Sequence, residues 1–482
     1  MSREKLMMQV ISIQKLRRAA GIVCLATALV AADRPAQAET LADALVGAYN
    51  HSGLLEQNRA VLRAADEDVA AAGAALKPVL RWTAGLTQSY RDSPPQGFFA
   101  TTGSSNSLNA SINLIAEVLI HDFGASAFRI EAAKETVLAT RDSLLNVEQQ
   151  ILLRAVSAYM GVIEASEFVA LRQNNVRLLT QELRAARDRF EVGEVTRTDV
   201  ALAEAQLANA RSGLAGAEGD LLRAQEEYRT AVGRKPGRLS GPPKLPAISN
   251  DIDTAKGLAL RRHPLLQSAQ HQVAAADLLI RASEAAMAPQ IKLSGSVGVS
   301  EEFGNQNYNN NASIGLGVSQ TIYQGGALSS AARKSMAQRD AQRANLHVVR
   351  FDVEQAVGNA YAGFASAKAQ LEASERQIRA ARIAFRGVRE EATLGARTTL
   401  DVLDAEQSLL DAQSTQVSAR ANLYIAAYSI LSATGQLTAA SLGLPVQIYD
   451  PAGYYNLVKD GPAKESRQGR QLDRVLRALQ KD

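Results

Sequence analysis

"FEVGEVTRTDVALAEAQLANA" occupies residues 190–210, and "ATLGARTTLDVLDAEQSLLDA" occupies residues 392–412. Each has Gly at its fourth place, Thr at its seventh and Asp-Val at its tenth and eleventh. Gly193 and Gly395 are 202 residues apart, and so are Asp199 and Asp401. The chain writes one signal twice. Glycine lets a helix stop and reverse, and Thr-x-x-Asp then starts the next helix with a capping pattern.

The duplication widens outward from these turns. "LLEQNRAVLRAADEDVAAAGAALKPVL" from Leu54 matches "LLQSAQHQVAAADLLIRASEAAMAPQI" from Leu265, with Pro78 and Pro289 offset by 211. "HDFGASAF" from His121 matches "YQGGALSS" from Tyr323, with Gly124 and Gly326 again offset by 202. A first repeat is expected over 39–235 and a second over 253–438. Between them, 236–252 reads as a linker, because "GRKPGRLSGPPKLP" is too rich in Pro and Gly for regular helix. Residues 439–482 form a C-terminal segment with a basic tail.

Within each repeat a helix ends at the proline. Two strand-like runs then flank a polar loop, and a very long helix leads to the Gly turn and another leads back. In one run Leu108, Ala110, Ile112, Leu114 and Ala116 alternate with Asn109, Ser111 and Asn113. In another Ile314, Leu316 and Val318 alternate with Ser313, Gly315, Gly317 and Ser319. "VLRWTAGLTQSY" and "IKLSGSVGVS" alternate more weakly. Runs of about ten residues span a membrane as tilted strands. The loops "RDSPPQGFFATTGSSNS" and "EEFGNQNYNNN" are long and polar. Each run alone also fits a half-buried soluble strand. Four strands cannot close a barrel, and open edges in lipid would cost several kcal/mol per unpaired group. A membrane reading therefore requires further copies of the chain.

The helices carry a seven-residue period: Leu138, Leu145, Leu152 and Tyr159, then Val200, Leu207, Leu214, Leu221 and Tyr228. The second repeat keeps it with Val357, Phe364, Leu371, Ile378 and Phe385, then Leu403, Leu410, Val417, Tyr424 and Leu431. This is a knobs-into-holes seam. No proline interrupts 126–191, and at 1.5 Å per residue such a stretch makes about 100 Å of helix.

The N-terminus reads as a secretory leader over residues 1–38. Lys15, Arg17 and Arg18 precede an apolar stretch, Ala19 to Ala32, and the cleavage pattern Ala36-Gln37-Ala38. Glu39 is then the first mature residue. The single cysteine, Cys24, falls inside the leader, so the mature chain has no disulfide and no thiolate chemistry. Removing the leader's six Lys/Arg and two Asp/Glu leaves 47 of each, a net charge of zero. The sequence pI of about 9.0 thus gives no case for nucleic-acid binding. Residues 459–482 hold seven bases and four acids.

No HExxH, Walker A, GxSxG or GxGxxG pattern occurs, and His51, His121, His263, His271 and His347 lack tight ligand spacing. The chain is not expected to be an enzyme or to hold a metal or cofactor. A soluble periplasmic coiled-coil scaffold without a pore is the alternative, but it does not need the strand pairs.

Leader, strand pair and long helical hairpin, all duplicated, resemble the TolC family of outer-membrane export channels. The resemblance covers about 41–438 and is carried by the two turns, by "YQGG" at 323–326 with "HDFG" at 121–124, and by "SATGQL" at 432–437. It implies an α+β membrane protein with an internal two-fold repeat. Three copies would form one 12-stranded transmembrane β-barrel, continuous with a long periplasmic α-helical barrel. The linker and the C-terminal segment would girdle its equator. The implied setting is the Gram-negative outer membrane, with a homotrimer embedded in lipid. The implied partners are a periplasmic adaptor (membrane fusion) protein and an inner-membrane transporter of ABC or RND type. Cargo would be drugs or secreted proteins.

In that family the repeated turn is the periplasmic tip, so Gly193, Thr196, Gly395 and Thr398 are implied as tip turns and adaptor contacts. Asp401 and Asp404 are spaced i, i+3 and share a helix face. The resemblance implies that they line the pore constriction, where rings of like charge would raise their pKa values. Asp199 and Arg397 match positions of links that hold the tip closed. Ala392 stands where some members have a tyrosine. Apart from the resemblance, Asp199 and Asp401 are each explained by a helix cap, and Asp404 is not.

Overall fold

The computed structural model describes residues 38–93, 103–303 and 307–479. The leader lies outside the described residues except for Ala38, as do the middles of both strand-connecting loops.

Two short helices open the chain, α1 (Leu41–His51) and α2 (Gly53–Ala74). Ser52 caps α2, its hydroxyl accepting from Leu55 N at 3.2 Å. Strands β1 (Val79–Ser93) and β2 (Gly103–His121) follow, then the long helix α3 (Ala125–Glu191) and its return α4 (Arg197–Val232). After an extended stretch come α5 (Ile252–Arg262), α6 (Pro264–Ala285), β3 (Gln290–Phe303) and β4 (Asn307–Ser319). The second hairpin is α7 (Ala327–Thr393) and α8 (Thr399–Ala433). Two helices close the chain, α9 (Pro451–Val458) and α10 (Arg467–Leu479). Helices α3 and α7 are both 67 residues long. Among the described residues no helix is long and apolar enough to cross a membrane.

The entries to the long helices explain why β-structure stops there. Phe123 and Gly124 have φ of 55° and 92°, and Gly325 and Gly326 have 57° and 82°. Asp122 then caps the entry to α3, accepting from Ser126 N at 2.8 Å and, just ahead of the helix, from Gly124 N at 3.2 Å.

The residues group into two units. One holds the described residues up to Ala48, with Ala155–Leu245 and Ser374–Ala421. The other holds Tyr49–Arg154, Pro246–Ala373 and the described residues from Asn422 on.

In the first unit, Leu179, Leu183 and Ala186 of α3 pack with Ala203, Leu207 and Ala210 of α4 and with Leu403 of α8. The two hairpins thus lie side by side there. Arg389 of α7 meets Glu182 of α3 at 3.1 Å. The start of the chain is tied into this unit by Glu39, which bridges to Leu239. Its carboxylate accepts from Tyr228 Oη at 2.5 Å and from Arg234 Nη2 at 2.6 Å.

In the second unit, Tyr49, Leu55, Leu62 and Val69 pack with Val137 and Leu144 of α3 and with Ala439. A second cluster joins Ala255 and Ala259 of α5 to Val353 and Val357 of α7. The seven-residue seam named from the sequence is buried or half-buried throughout both units, except at Leu145, which is 40% exposed.

The sheet belongs to the second unit. It has four strands in the order β1-β2-β3-β4, all antiparallel. The strands run 13 to 19 residues, longer than the ten or so expected from the apolar alternation. Backbone pairing continues into the polar flanks, where side chains no longer alternate: Tyr90 pairs with Asn106 and Glu301 with Tyr308.

Candidate functional site

Cross-strand partners in an antiparallel pair point to the same face. Trp82 lies opposite Leu114, Ala84 opposite Ile112 and Leu86 opposite Ala110. Ile112 and Leu114 lie opposite Val299 and Val297, and Leu293 opposite Leu316. One face is therefore continuously apolar. It is also open, with Trp82 72% exposed and Ile314 80% exposed. A water-facing sheet does not leave so large an apolar patch uncovered.

The other face carries Thr83, Asn113, Ser296 and Ser313. Lys292 and Glu117 pair across it at 2.8 Å, and Ser296 meets Ser313 at 2.8 Å. Along β1 this face runs from Leu80 through Trp82 to Tyr90, all three exposed. Ten residues at about 3.4 Å, tilted by about 40°, give a band roughly 26 Å tall. The outer strands, β1 and β4, pair on one side only within the chain.

The two turns lie in the other unit. Gly193 has φ of 79° and Gly395 has 78°. Glu194 N donates to Arg189 O at 2.9 Å, and Gly193 N to Phe190 O at 3.0 Å. Ala396 and Gly395 repeat this with Glu391 O and Ala392 O, at 2.9 and 3.2 Å. Both are left-handed glycine stops that use the last helical carbonyls.

Thr196 then caps α4. Its hydroxyl accepts from Asp199 N, and Asp199 Oδ2 accepts from Thr196 N at 2.9 Å and Thr196 Oγ1 at 2.7 Å. Thr398 and Asp401 do the same at α8, with distances of 2.9 and 2.8 Å. These bonds hold the Asp401 carboxyl below its usual range, the backbone bond from Thr398 first and the hydroxyl bond second. Asp199 is lowered by Thr196 in the same way, the hydroxyl bond first. Within one chain the direction is opposite to that of a charged ring.

Asp404 is exposed one turn further along α8 and takes no part in the cap. Arg397 Nε donates to Glu391 Oε2 at 2.9 Å, across its own turn. Among the described residues no bond or ion pair joins Arg397 to Asp199. Each turn is thus held by its own residues.

Sequence reasoning missed a buried acid near the second turn. Glu406, 4% exposed, accepts from Asn175 Nδ2 at 2.7 Å, and its second oxygen has no partner. Burial pushes its carboxyl up to about 7, against the lowering by Asn175. A polar cavity of about 510 Å³ adjoins it, lined by Arg172, Asn175, Gln206, Asn209 and Gln407. The available signal was the heptad. Glu406 lies three residues after the seam position Leu403, where an apolar residue is the rule.

No group of His, Cys, Asp and Glu among the described residues could hold a metal ion. An antiparallel sheet with one open apolar face, carried by a chain of long paired helices, is the fold of an outer-membrane channel protein. The chain belongs to the outer membrane efflux protein family, whose pattern matches residues 46–234 and 256–436. It is 36% identical over 427 residues to the outer membrane efflux protein BepC of Brucella suis biovar 1 (strain 1330), covering 88% of this chain and 91% of that protein. It is 25% identical over 433 residues to the outer membrane protein TolC of Escherichia coli (strain K12), covering 84% of each. The solved structure of the outer membrane protein VceC of Vibrio cholerae shares the fold. Its TM-score is 0.70 at 20% identity, over 82% of this chain and 96% of that one.

Proposed function

We propose that three copies of this chain form the outer-membrane exit duct of a tripartite export system. The open amphipathic sheet carries the reading. Its apolar face suits lipid, its polar face suits a water-filled lumen, and its edges need neighbours. Three such sheets make one 12-stranded barrel. The two 67-residue helices, one per repeat, would extend it as a helical barrel through the periplasm. Val348, Phe351 and Ile383 of α7 and Leu222 of α4 are large apolar residues left exposed, which supports packing against further copies. A soluble scaffold leaves the apolar sheet face unexplained.

The repeats, 39–235 and 253–438, would each supply a strand pair and a hairpin. Residues 236–252 and the C-terminal segment that begins at 439 would girdle the equator, apart from its last helix, α10. The turns at Gly193, Thr196, Gly395 and Thr398 are the tip and the adaptor contact. The adaptor joins the duct to an inner-membrane transporter of ABC or RND type. No cofactor or enzymatic step is involved. Cargo is selected upstream, and drugs and proteins both remain within the reading.

At the tip, Asp401 and Asp404 form the constriction as two three-fold rings. Repulsion around the Asp401 ring opposes the cap that lowers the pKa of that carboxyl. Asp199 and Arg397 link neighbouring hairpins, and on opening Arg397 falls back on Glu391 of its own turn.

The test is conductance of the purified mature chain in a planar bilayer, with divalent cations added, for the wild type and Asp404→Asn. Asn at 404 leaves both caps intact. Small cation-selective steps, blocked by divalents and less blocked in the variant, are expected. A water-soluble oligomer that never inserts would overturn the duct. Steps whose block ignores residue 404 would move the constriction elsewhere.

A further inference from the structure

Among the described helices, the C-terminal α10 is the most sharply divided into an apolar and a basic side. At about 100° per residue, Leu472, Val475 and Leu476 fall within an arc of about 100°. Arg467, Arg470, Arg474 and Arg477 fall on the opposite side, within about 80°. All four arginines are exposed, and Val475 is 36% exposed. The only acid on the helix is Asp473. Because the mature chain as a whole has no net charge, this local excess is not a general property of the surface.

Its anchor point fixes where it lies in the second unit. Tyr454 of α9 donates to Glu67 of α2 at 2.7 Å. Two residues past α9, the Asp460 carbonyl accepts from Lys77 Nζ. Gly461, φ 53°, is so close that an added Cβ would sit 3.2 Å from Lys77 Nζ. Lys77 is two residues before β1 and five before Trp82. The start of α10 is six residues past Gly461, so it lies within about 20 Å of Lys77. The helix therefore starts near the end of β1 that carries Leu80 and Trp82, at the margin of the apolar band.

We propose that α10 lies on the phospholipid surface of the leaflet facing the periplasm, its apolar arc in the acyl boundary and its arginines among anionic headgroups. A basic amphipathic helix placed at an interface has this use. Helix and barrel then hold the membrane from two sides of one leaflet. The proposal rests on the outer-membrane reading above.

The full mature chain tests it. It has no cysteine after Cys24, so Val475→Cys and Arg474→Cys can each carry one environment-sensitive fluorophore. The chain is reconstituted in phosphatidylcholine vesicles with and without roughly one third phosphatidylglycerol. With the anionic lipid, the probe at 475 is expected to shift blue and to be quenched by nitroxide on the acyl chains, while the probe at 474 stays in water. R470E/R474E/R477E should abolish the difference, each arginine lost weakening the contact roughly fivefold. A probe at 475 that stays in water with phosphatidylglycerol overturns the proposal. So does one that is equally shielded in both lipids and in detergent, because a protein surface then covers it. Trp82, the only tryptophan, reports separately on the sheet. If acyl-chain nitroxide quenches Trp82 but not the probe at 475, the barrel stands and α10 does not bind lipid. If Trp82 is not quenched, the barrel and the proposal fall together.

Discussion

Glu406 gives the sharpest test of how the hairpins are held. Its carboxyl is buried against Asn175, has one unpartnered oxygen, and is pushed up to about 7 from an ordinary 4.5. Desolvation is the main cause, and the neighbouring Glu182 adds to it. The folded state therefore binds this proton more tightly than the unfolded state. Stability falls as pH rises from about 4.5 to about 7, and the full loss is felt above that. A rise of this size corresponds to about 3 kcal/mol. Screening by the polar cavity reduces the expected effect to about 2 kcal/mol, roughly a thirtyfold factor.

Glu406→Gln keeps an oxygen for Asn175 and removes the charge. A large oligomeric membrane protein has no single two-state unfolding free energy, so the readout must be local. Amide hydrogen exchange over residues 172–179 and 403–410 serves, corrected for intrinsic rates. At pH 8 the variant should protect these segments by up to about thirtyfold over the wild type. At pH 4 the two should agree within about twofold, because Glu406 is then largely neutral in the closed and the opened state alike. Equal protection at pH 8, or weaker protection in the variant, would refute the claim that an ionised Glu406 strains this contact.

Gly395→Ala and Gly193→Ala add a Cβ that meets nothing within 4 Å, so their cost is backbone strain alone, about 1–2 kcal/mol each. Limited proteolysis should show faster cleavage at the altered turn, and Gly395→Asn should recover part of the loss. Thr398→Ala removes the hydroxyl half of the α8 cap, costing about 1 kcal/mol. It should also raise the Asp401 pKa, so that divalent block of the channel moves to higher pH. Glu39→Gln leaves Arg234 without its carboxylate partner, and protease access to the extended stretch at 236–249 should increase several-fold.

Features that depend on period were legible in the sequence. Gly followed by Thr-x-x-Asp states a turn in local terms, and the left-handed glycines and cap bonds are where that pattern puts them. Alternation at 108–116 and 314–318 assigned strand faces correctly, because side chains alternate whatever the strand pairs with. Strand length was not legible, since ladder bonds need no apolar side chain. Pairings between distant residues left no local trace. Asn175 and Glu406 are separated by 231 positions, and Glu39 and Arg234 by 195. Both helices and loops here are rich in carboxylates, so neither acid stood out.

The two aspartates at the second turn show why a motif match can mislead about roles. Asp401 fits a pore ring and a helix cap equally well on paper. The cap already engages one of its oxygens and favours its ionised form. Any ring repulsion must work against those bonds before it can raise the pKa. Asp404 has no such engagement and stands exposed one turn further on. The cap favours the ionised form of Asp401, so if Asp401 faces the lumen its ring keeps its charge as pH falls. Asp404→Asn should then weaken divalent block while leaving both caps intact, and Thr398→Ala should shift the remaining block to higher pH. Block unchanged by Asp404→Asn would place Asp404 outside the lumen, and block indifferent to both variants would leave Asp401 as a cap alone.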